Sequence, residues 1–283
     1  MMKLSLGTAQ FGLDYGVTNT GGKVDIDLVG QILDLAKSSG ITMIDTAIAY
    51  GDSEKVLGQF DLSDFSVTSK IPSLKGAEDV IEEMTHDSKE RLNIDVLYGL
   101  MLHDEKDAIH RNGQYLEELQ AVKAQGLVQK VGASFYSTDI ALDVVKSGLV
   151  DIIQVPANQL DCRFDESGLL AAAAENNVEV HVRSLLLQGL LAVDAAKRPA
   201  KFRHHSDLLK YDECCREMKL SPVEMALSYL VTQPNIHYGV IGCVHPEQLD
   251  EIITAYKKIE NMGLHSNLTL SSHDDVLVNP SKW

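Results

Sequence analysis

Leu4-Ser5-Leu6-Gly7-Thr8-Ala9-Gln10-Phe11-Gly12, a short apolar run leading into a loop, decides between two α/β architectures. An open doubly wound sheet that binds a dinucleotide normally follows its first strand with a G-x-G-x-x-G turn, whose glycines let the backbone approach pyrophosphate. Gly7 to Gly12 does not match that turn. The alternative is a closed barrel of eight strand-then-helix units, and counting outward from this first run distinguishes the two.

The count reaches eight. Val24 to Ser39 sets Leu28, Ile32, Leu35 and Ala36 on one helical stripe, and Gly40 closes it as a C-cap. Strand-like runs then recur at Ile41 to Ile44, Phe65 to Ile71, Ile94 to Leu102, Val128 to Ala133, Asp151 to Val155, Val178 to Val182 and His237 to Ile241. Between and after them lie helical segments through Val56-Leu57, around Val80-Ile81-Met84, and over Tyr115 to Ala124 (closed by Gly126). Others follow Ser137-Thr138, span Leu169 to Asn176, Asp207 to Met218 and Pro222 to Leu230, and end with Pro246 to Lys257. Ser221-Pro222 opens one of them as N-cap and first helical residue. The pattern predicts an α/β protein, one (β/α)8 TIM barrel over residues 1–283, with no linker and with residues 261–283 a polar, aperiodic tail on the barrel.

Composition narrows the function classes. The chain has 283 residues, enough for a full core, and a formal net charge of −16. That sign opposes nucleic-acid binding, which needs a field complementary to phosphate, and it opposes docking on anionic membrane. No apolar run approaches the roughly 18 residues of a membrane-spanning helix, and the start of the chain lacks the apolar core of a signal peptide. Cys162, Cys214, Cys215 and Cys243 make no C-x-x-C pair, so neither zinc nor a disulfide framework is expected, and a reducing cytoplasm is the simplest location. Cys214 and Cys215 read as free thiols on a helix. The expected partner is a small molecule, with the chain a monomer or weak homo-oligomer.

Barrel active sites lie at the carboxyl ends of the strands. Asp45 ends the second predicted strand, Lys70 the third and His103 the fourth, and Tyr50 falls in the loop after Asp45. A free tyrosine, with a pKa near 10, is a poor acid at neutral pH. A nearby ammonium such as Lys70 would lower that value, with Asp45 holding Lys70 charged and aimed. His103 would hydrogen-bond a carbonyl oxygen. Such a set can protonate an oxyanion as hydride reaches the carbonyl carbon.

Asp45-Thr46-Ala47-x-x-Tyr50-Gly51, Thr68-Ser69-Lys70 and Leu102-His103 resemble the Asp/Tyr/Lys/His tetrad segments of the aldo-keto reductase family, a bacterial member near the surface-polysaccharide group. The similarity runs in order along essentially the whole barrel. It implies NAD(P)H-dependent reduction of an aldehyde or ketone, or the reverse oxidation, without a metal. By that resemblance Tyr50 is the acid, Lys70 and Asp45 tune it, and His103 positions the carbonyl, which in this group suggests a sugar or sugar-derived substrate. The cofactor would be NADP(H), with NAD(H) the alternative. Ser134, Gln154 and Asn158 would hold the nicotinamide carboxamide. Gly7, Thr8, Asp45, Arg183, Ser184, Leu185, Gln188 and Gly189 would flank the dinucleotide, the Gly189 loop along its pyrophosphate. Gly242, Cys243, His245, Gln248 and Glu251 would take the adenosine end.

The chain also departs from the family pattern. Arg183 stands where many members carry an aromatic residue that stacks on the nicotinamide, a role a guanidinium can also take. Phe135 replaces an asparagine, Ile252 another, and Val244-His245 occupy the place of the arginine that often meets the 2′-phosphate. His245, or a basic side chain between Arg198 and His205, is the expected substitute. Substrate choice should lie in the loops after the strands, including Tyr15, Tyr136 and residues 192–205. A regulatory protein that binds cofactor with little turnover is the alternative function. A metal hydrolase is disfavoured, because there is no H-x-H on the first strand and no H-E-x-x-H.

Overall fold

A strand followed by an amphipathic helix, repeated around a ring, covers the outer face of a parallel sheet and leaves it no unpaired edge. The computed structural model describes residues 2–264 and 270–283, and in it the ring closes. The strands are β1 (Leu4–Gly7), β2 (Met43–Asp45), β3 (Ser66–Ile71), β4 (Leu97–Leu102), β5 (Val128–Ser134), β6 (Ile152–Pro156), β7 (Glu179–Arg183) and β8 (Tyr238–Gly242). All pairings are parallel and follow chain order, with β8 returning to β1. The register sets Gly7 beside both Asp45 and Gly242, Ser134 beside Gln154, and Pro156 beside Arg183, so the predicted chemistry shares one rim. No helix among the described residues is long and apolar enough to cross a membrane.

The covering helices follow their local signals. Asp25 caps Ile26–Ser38 by accepting from the Asp27 amide, and Gly40 follows at φ +86°. The buried stripe there is Val29, Ile32, Leu33 and Ala36. Leu28 and Leu35 lie on its margin, because this helix also packs against the helix Pro246–Met262. Ser221 and Glu224 form a reciprocal capping box at the start of Pro222–Thr232. Pro246–Met262 runs to Gly263 at φ +60°, five residues past the sequence expectation. Cys214 and Cys215 lie on the helix Ser206–Met218 as free thiols.

The tail differs in character from a polar surface segment. Residues 265–269 of it lie outside the described residues. Beyond them the Ser272 amide donates to the Leu160 carbonyl at 2.8 Å. Leu277 and Val278 are buried with Leu187, Leu190, Leu191 and Phe202, and the Trp283 ring lies 4.8 Å from that of Phe202. Two apolar residues and a terminal aromatic, spaced too sparsely to show a period, are enough to hold it against the loops after β7.

At the amino-terminal end of the barrel, Glu179 joins three strands. Its carboxylate accepts from Tyr98 Oη of β4 (2.8 Å), Lys130 Nζ of β5 and His181 Nε2 of β7 (2.9 Å). Burial alone would raise its pKa, but the bonds from His181, Lys130 and Tyr98 outweigh it and hold the carboxyl down to about 2.

Candidate active site

The Tyr50 loop is shaped from beneath by small residues. Thr8 donates its amide (3.0 Å) and its hydroxyl (3.1 Å) to the Asp45 carbonyl. Ser53 Oγ donates to the Thr8 carbonyl at 2.9 Å and lies 3.1 Å from Thr46 Oγ1, so three buried hydroxyls clasp the two ends of the loop. Above them Gly12 lies against the loop itself: a Cβ there would sit 1.8 Å from the Tyr50 carbonyl oxygen. Gly51, at φ +57°, faces it from the other side, and its Cβ would come within 2.5 Å of the Gly12 oxygen. Only glycine permits that approach at both positions.

Asp45, at the end of β2, accepts from Lys70 Nζ through both oxygens at 2.7 Å, and from Gln154 Nε2 at 2.7 Å. Lys70 Nζ also donates to the Thr46 carbonyl at 3.0 Å, which occupies all three of its N–H groups. Lys70 is fully buried. Burial lowers its pKa while the Asp45 carboxylate raises it. Its ammonium lies 5.2 Å from the Tyr50 ring centroid. The rings of Tyr50 and His103 meet edge to face, 5.7 Å apart at 80°.

The electrostatics differ from the sequence expectation in one respect. Burial, followed by the Asp45 charge, raises the Tyr50 phenol above its ordinary value, with the Arg183 charge acting the other way. The ammonium does not acidify the phenol because Asp45 grips it with both oxygens. Tyr50 is therefore a fully protonated donor. His103 is lowered to about 4 by burial and by the Lys70 charge, so at neutral pH its imidazole is uncharged and carries one N–H.

These groups stand at one end of a cavity of about 430 Å³ in the carboxyl-terminal mouth. Asp45, Tyr50 and His103 line it, and Lys70 lies behind Asp45. The wall continues through Gly7, Thr8, Ser134, Gln154, Arg183, Ser184, Leu185, Gln188 and Gly189 to Gly242, Cys243, Gln248 and Glu251. Two residues expected at a cofactor lie outside it. Asn158 donates to the Ser184 carbonyl at 3.1 Å, and its Oδ1 accepts from the amides of Leu160 and Asp161, so its side chain is used within the loop after β6. His245 caps the helix Pro246–Met262 by accepting from the Glu247 amide. Cys243 carries a thiol that burial pushes up to about 12, which keeps it uncharged.

The loop after β1, where Tyr15 is expected to bear on substrate choice, forms part of the same wall through Tyr15, Gly16, Thr18 and Asn19. It meets the loop after β7 across the cavity: Gln188 Nε2 donates to Tyr15 Oη and Thr18 Oγ1 to the Gln188 carbonyl, each at 3.3 Å. Arg183, at the end of β7, lays its guanidinium 4.0 Å from the Tyr136 ring centroid. Its Nε donates to Ser134 Oγ at 3.3 Å and its Nη2 to the Phe135 carbonyl at 3.2 Å.

Comparison with known proteins bears on what such a mouth does. A sequence model of the Aldo/keto reductase family matches residues 3–262. The chain is 25% identical to the D-threo-aldose 1-dehydrogenase of a Pseudomonas species, over 84% of this chain and 87% of that protein. It is 27% identical to the L-galactose dehydrogenase of Arabidopsis thaliana, over 84% of this chain and 80% of that one. The holo form of an aldo-keto reductase from Bacillus halodurans has the same fold, with a TM-score of 0.73 at 20% identity over 96% of this chain and 94% of that one.

Proposed function

The chain belongs to the aldo/keto reductase family, and we propose that it moves a hydride between NAD(H) and a sugar-derived carbonyl or alcohol, with Tyr50 as general acid. As an aldo-keto reductase it is an oxidoreductase acting on carbonyl or alcohol groups, and enzymes of this family use nicotinamide cofactors. The observation that carries the finer reading is the edge contact of Tyr50 and His103 over the Asp45–Lys70 pair, at the end of a cavity long enough to include Glu251.

The donor set suits a dinucleotide. Ser134 and Gln154 offer polar side chains beside the acid, the loop at Gly189 offers backbone, and the helix Pro246–Met262 adds Gln248 and Glu251 to the wall. The nicotinamide supplies the hydride when bound. The chain then handles the oxygen: the neutral His103 N–H holds a carbonyl oxygen, and Tyr50 gives its proton as negative charge develops there. An alkoxide is a stronger base than a phenolate, so transfer from a phenol with a raised pKa remains downhill. Lys70 and Asp45 form a dipole behind the ring, and Gln154 fixes the carboxylate end of it.

The charges on the wall favour NAD(H) over the NADP(H) expected from sequence. A 2′-phosphate needs cations, and Glu251 is the charged side chain on the wall at the adenosine end. Of the basic residues expected to substitute, Arg198 is buried and paired with Asp212 at 2.6 Å, and His205 is paired with Asp274 at 3.1 Å. The names of the curated relatives support a sugar substrate. A side-by-side fluorescence titration with NADH and NADPH, followed by assays of a panel of aldoses and aldehydes, tests this reading. Tighter NADH binding with turnover of at least one compound is expected. Failure of both dinucleotides to bind, or tighter binding of NADPH, overturns it.

A further inference from the structure

We propose that Arg183 selects anionic substrates, so that the compound turned over here carries a carboxylate or phosphate besides its reacting carbonyl or alcohol. The inference rests on the reading of this mouth as the reacting centre. It begins from an imbalance of charge: in a chain with 41 acidic residues and a net charge of −16, a guanidinium in the site wall has no carboxylate. Among the described residues, Arg91, Arg163 and Arg198, the other arginines wholly or partly buried, each hold one: Glu54, Asp161 and Asp212. Arg203 and Arg216 are exposed to solvent and Arg111 pairs with Glu78 at the surface. Among the described residues, Arg183 is the one arginine that is partly buried with no carboxylate within ion-pair distance. Removing a cation from water without an anion is unfavourable, and an arriving anion relieves that state.

The geometry presents the charge rather than hiding it. Tyr136 supports the guanidinium face, and the bonds to Ser134 Oγ and the Phe135 carbonyl hold Nε and Nη2, while Nη1 has no hydrogen-bond partner. A fork fixed along one edge is preorganised to meet carboxylate or phosphate oxygens with its remaining N–H groups. The two acids on the cavity wall do not serve it, because Asp45 is held by Lys70 and Gln154, and Glu251 lies on the helix Pro246–Met262 without an ion pair to Arg183. The charge is also close to the reacting groups: it acts on Tyr50, His103, Lys70 and Tyr15 together. An anionic group on a substrate whose oxygen sits at Tyr50 and His103 would fall within its reach.

Benzaldehyde, 4-carboxybenzaldehyde and 4-formylphenyl phosphate share one skeleton and differ in charge, so kcat/KM across the three reads the preference. At least one anionic aldehyde should exceed benzaldehyde by about tenfold or more, as one charge-assisted contact allows. Which of the two gains more assigns carboxylate or phosphate. Arg183→Gln should bring the ratio to within about twofold through KM, and Arg183→Lys should restore part of it. Equal kcat/KM in the wild-type protein, or an unchanged ratio in Arg183→Gln, overturns the proposal. So does a loss in Arg183→Gln that is equal for all three aldehydes and accompanied by weaker NADH binding, which would assign the guanidinium to the dinucleotide. Calorimetric titration of 4-carboxybenzaldehyde and benzaldehyde into NAD+-saturated protein reads the same preference without turnover. Absent turnover with that binding preference intact would sink the enzymatic reading alone.

Discussion

Tyr50 and His103 meet edge to face with opposite electrostatic histories. Burial raises the phenol and lowers the imidazole to about 4, so both are neutral donors across the ordinary pH range. The kcat/KM profile should therefore be flat from neutrality down past pH 6, with no limb near the usual histidine value of 6.5. An inflection near that value that disappears in His103→Gln would contradict this. The stability consequence has a definite sign. An unfolded His103 takes a proton below about 6.5 and the folded one only below about 4, so its contribution to stability is lost as pH falls through that window. The strand count places Asp45, Lys70 and His103 at strand ends and Tyr50 in the loop after Asp45, and the structure brings all four together at one rim. What spacing does not reveal is the local bonding of Asn158 and His245, short polar side chains in loops that accept from nearby backbone amides. The Thr8, Thr46 and Ser53 cluster escaped notice for a related reason: it exists only through the β1–β2 register.

At the scale of elements, the loop carrying Tyr50 is placed by a backbone contact. Gly12→Ala would put a methyl 1.8 Å from the Tyr50 carbonyl oxygen, and the loop must yield. Turnover should fall about tenfold to a hundredfold while far-UV circular dichroism remains that of the wild type. Full activity would show that the loop is not set by that contact. The Glu179 hub at the opposite end of the barrel makes a different prediction. Glu179→Gln removes a carboxylate that Tyr98, Lys130 and His181 all contact, so denaturant unfolding at neutral pH should show a loss of about 3 kcal/mol. Because the folded pKa is held at about 2 against 4.5, the stability difference between wild type and variant should close as pH falls from about 4.5 to 2. Strands and long helices were readable from periodicity and caps. The helix Ala9–Gly12 and the loop after it were not, since four residues carry no period and the loop is held by Gln188 from far along the chain.

For the molecule as a whole, a dinucleotide would bridge loops from both halves of the barrel, joining Thr8 and Gly242 to Ser134 and Gly189. Binding to the folded state alone should stabilise it by about 2.7 kcal/mol at a hundred times Kd, raising Tm by about 5 °C in a domain of this size. On the proposed NAD(H) reading, in which Glu251 would face the additional phosphate, the rise at equal concentrations should be larger with NADH than with NADPH; the reverse order in a thermal-shift assay would refute that preference. The central claim is that this cavity brings dinucleotide and carbonyl to a single proton donor. Its most direct test is Tyr50→Phe, measured in one preparation for NADH affinity by fluorescence and for turnover of whichever substrate the wild-type protein reduces fastest. Affinity should be unchanged while turnover falls by a factor of about 10²–10⁴. Turnover at the wild-type rate, with the dinucleotide bound as before, would contradict the account.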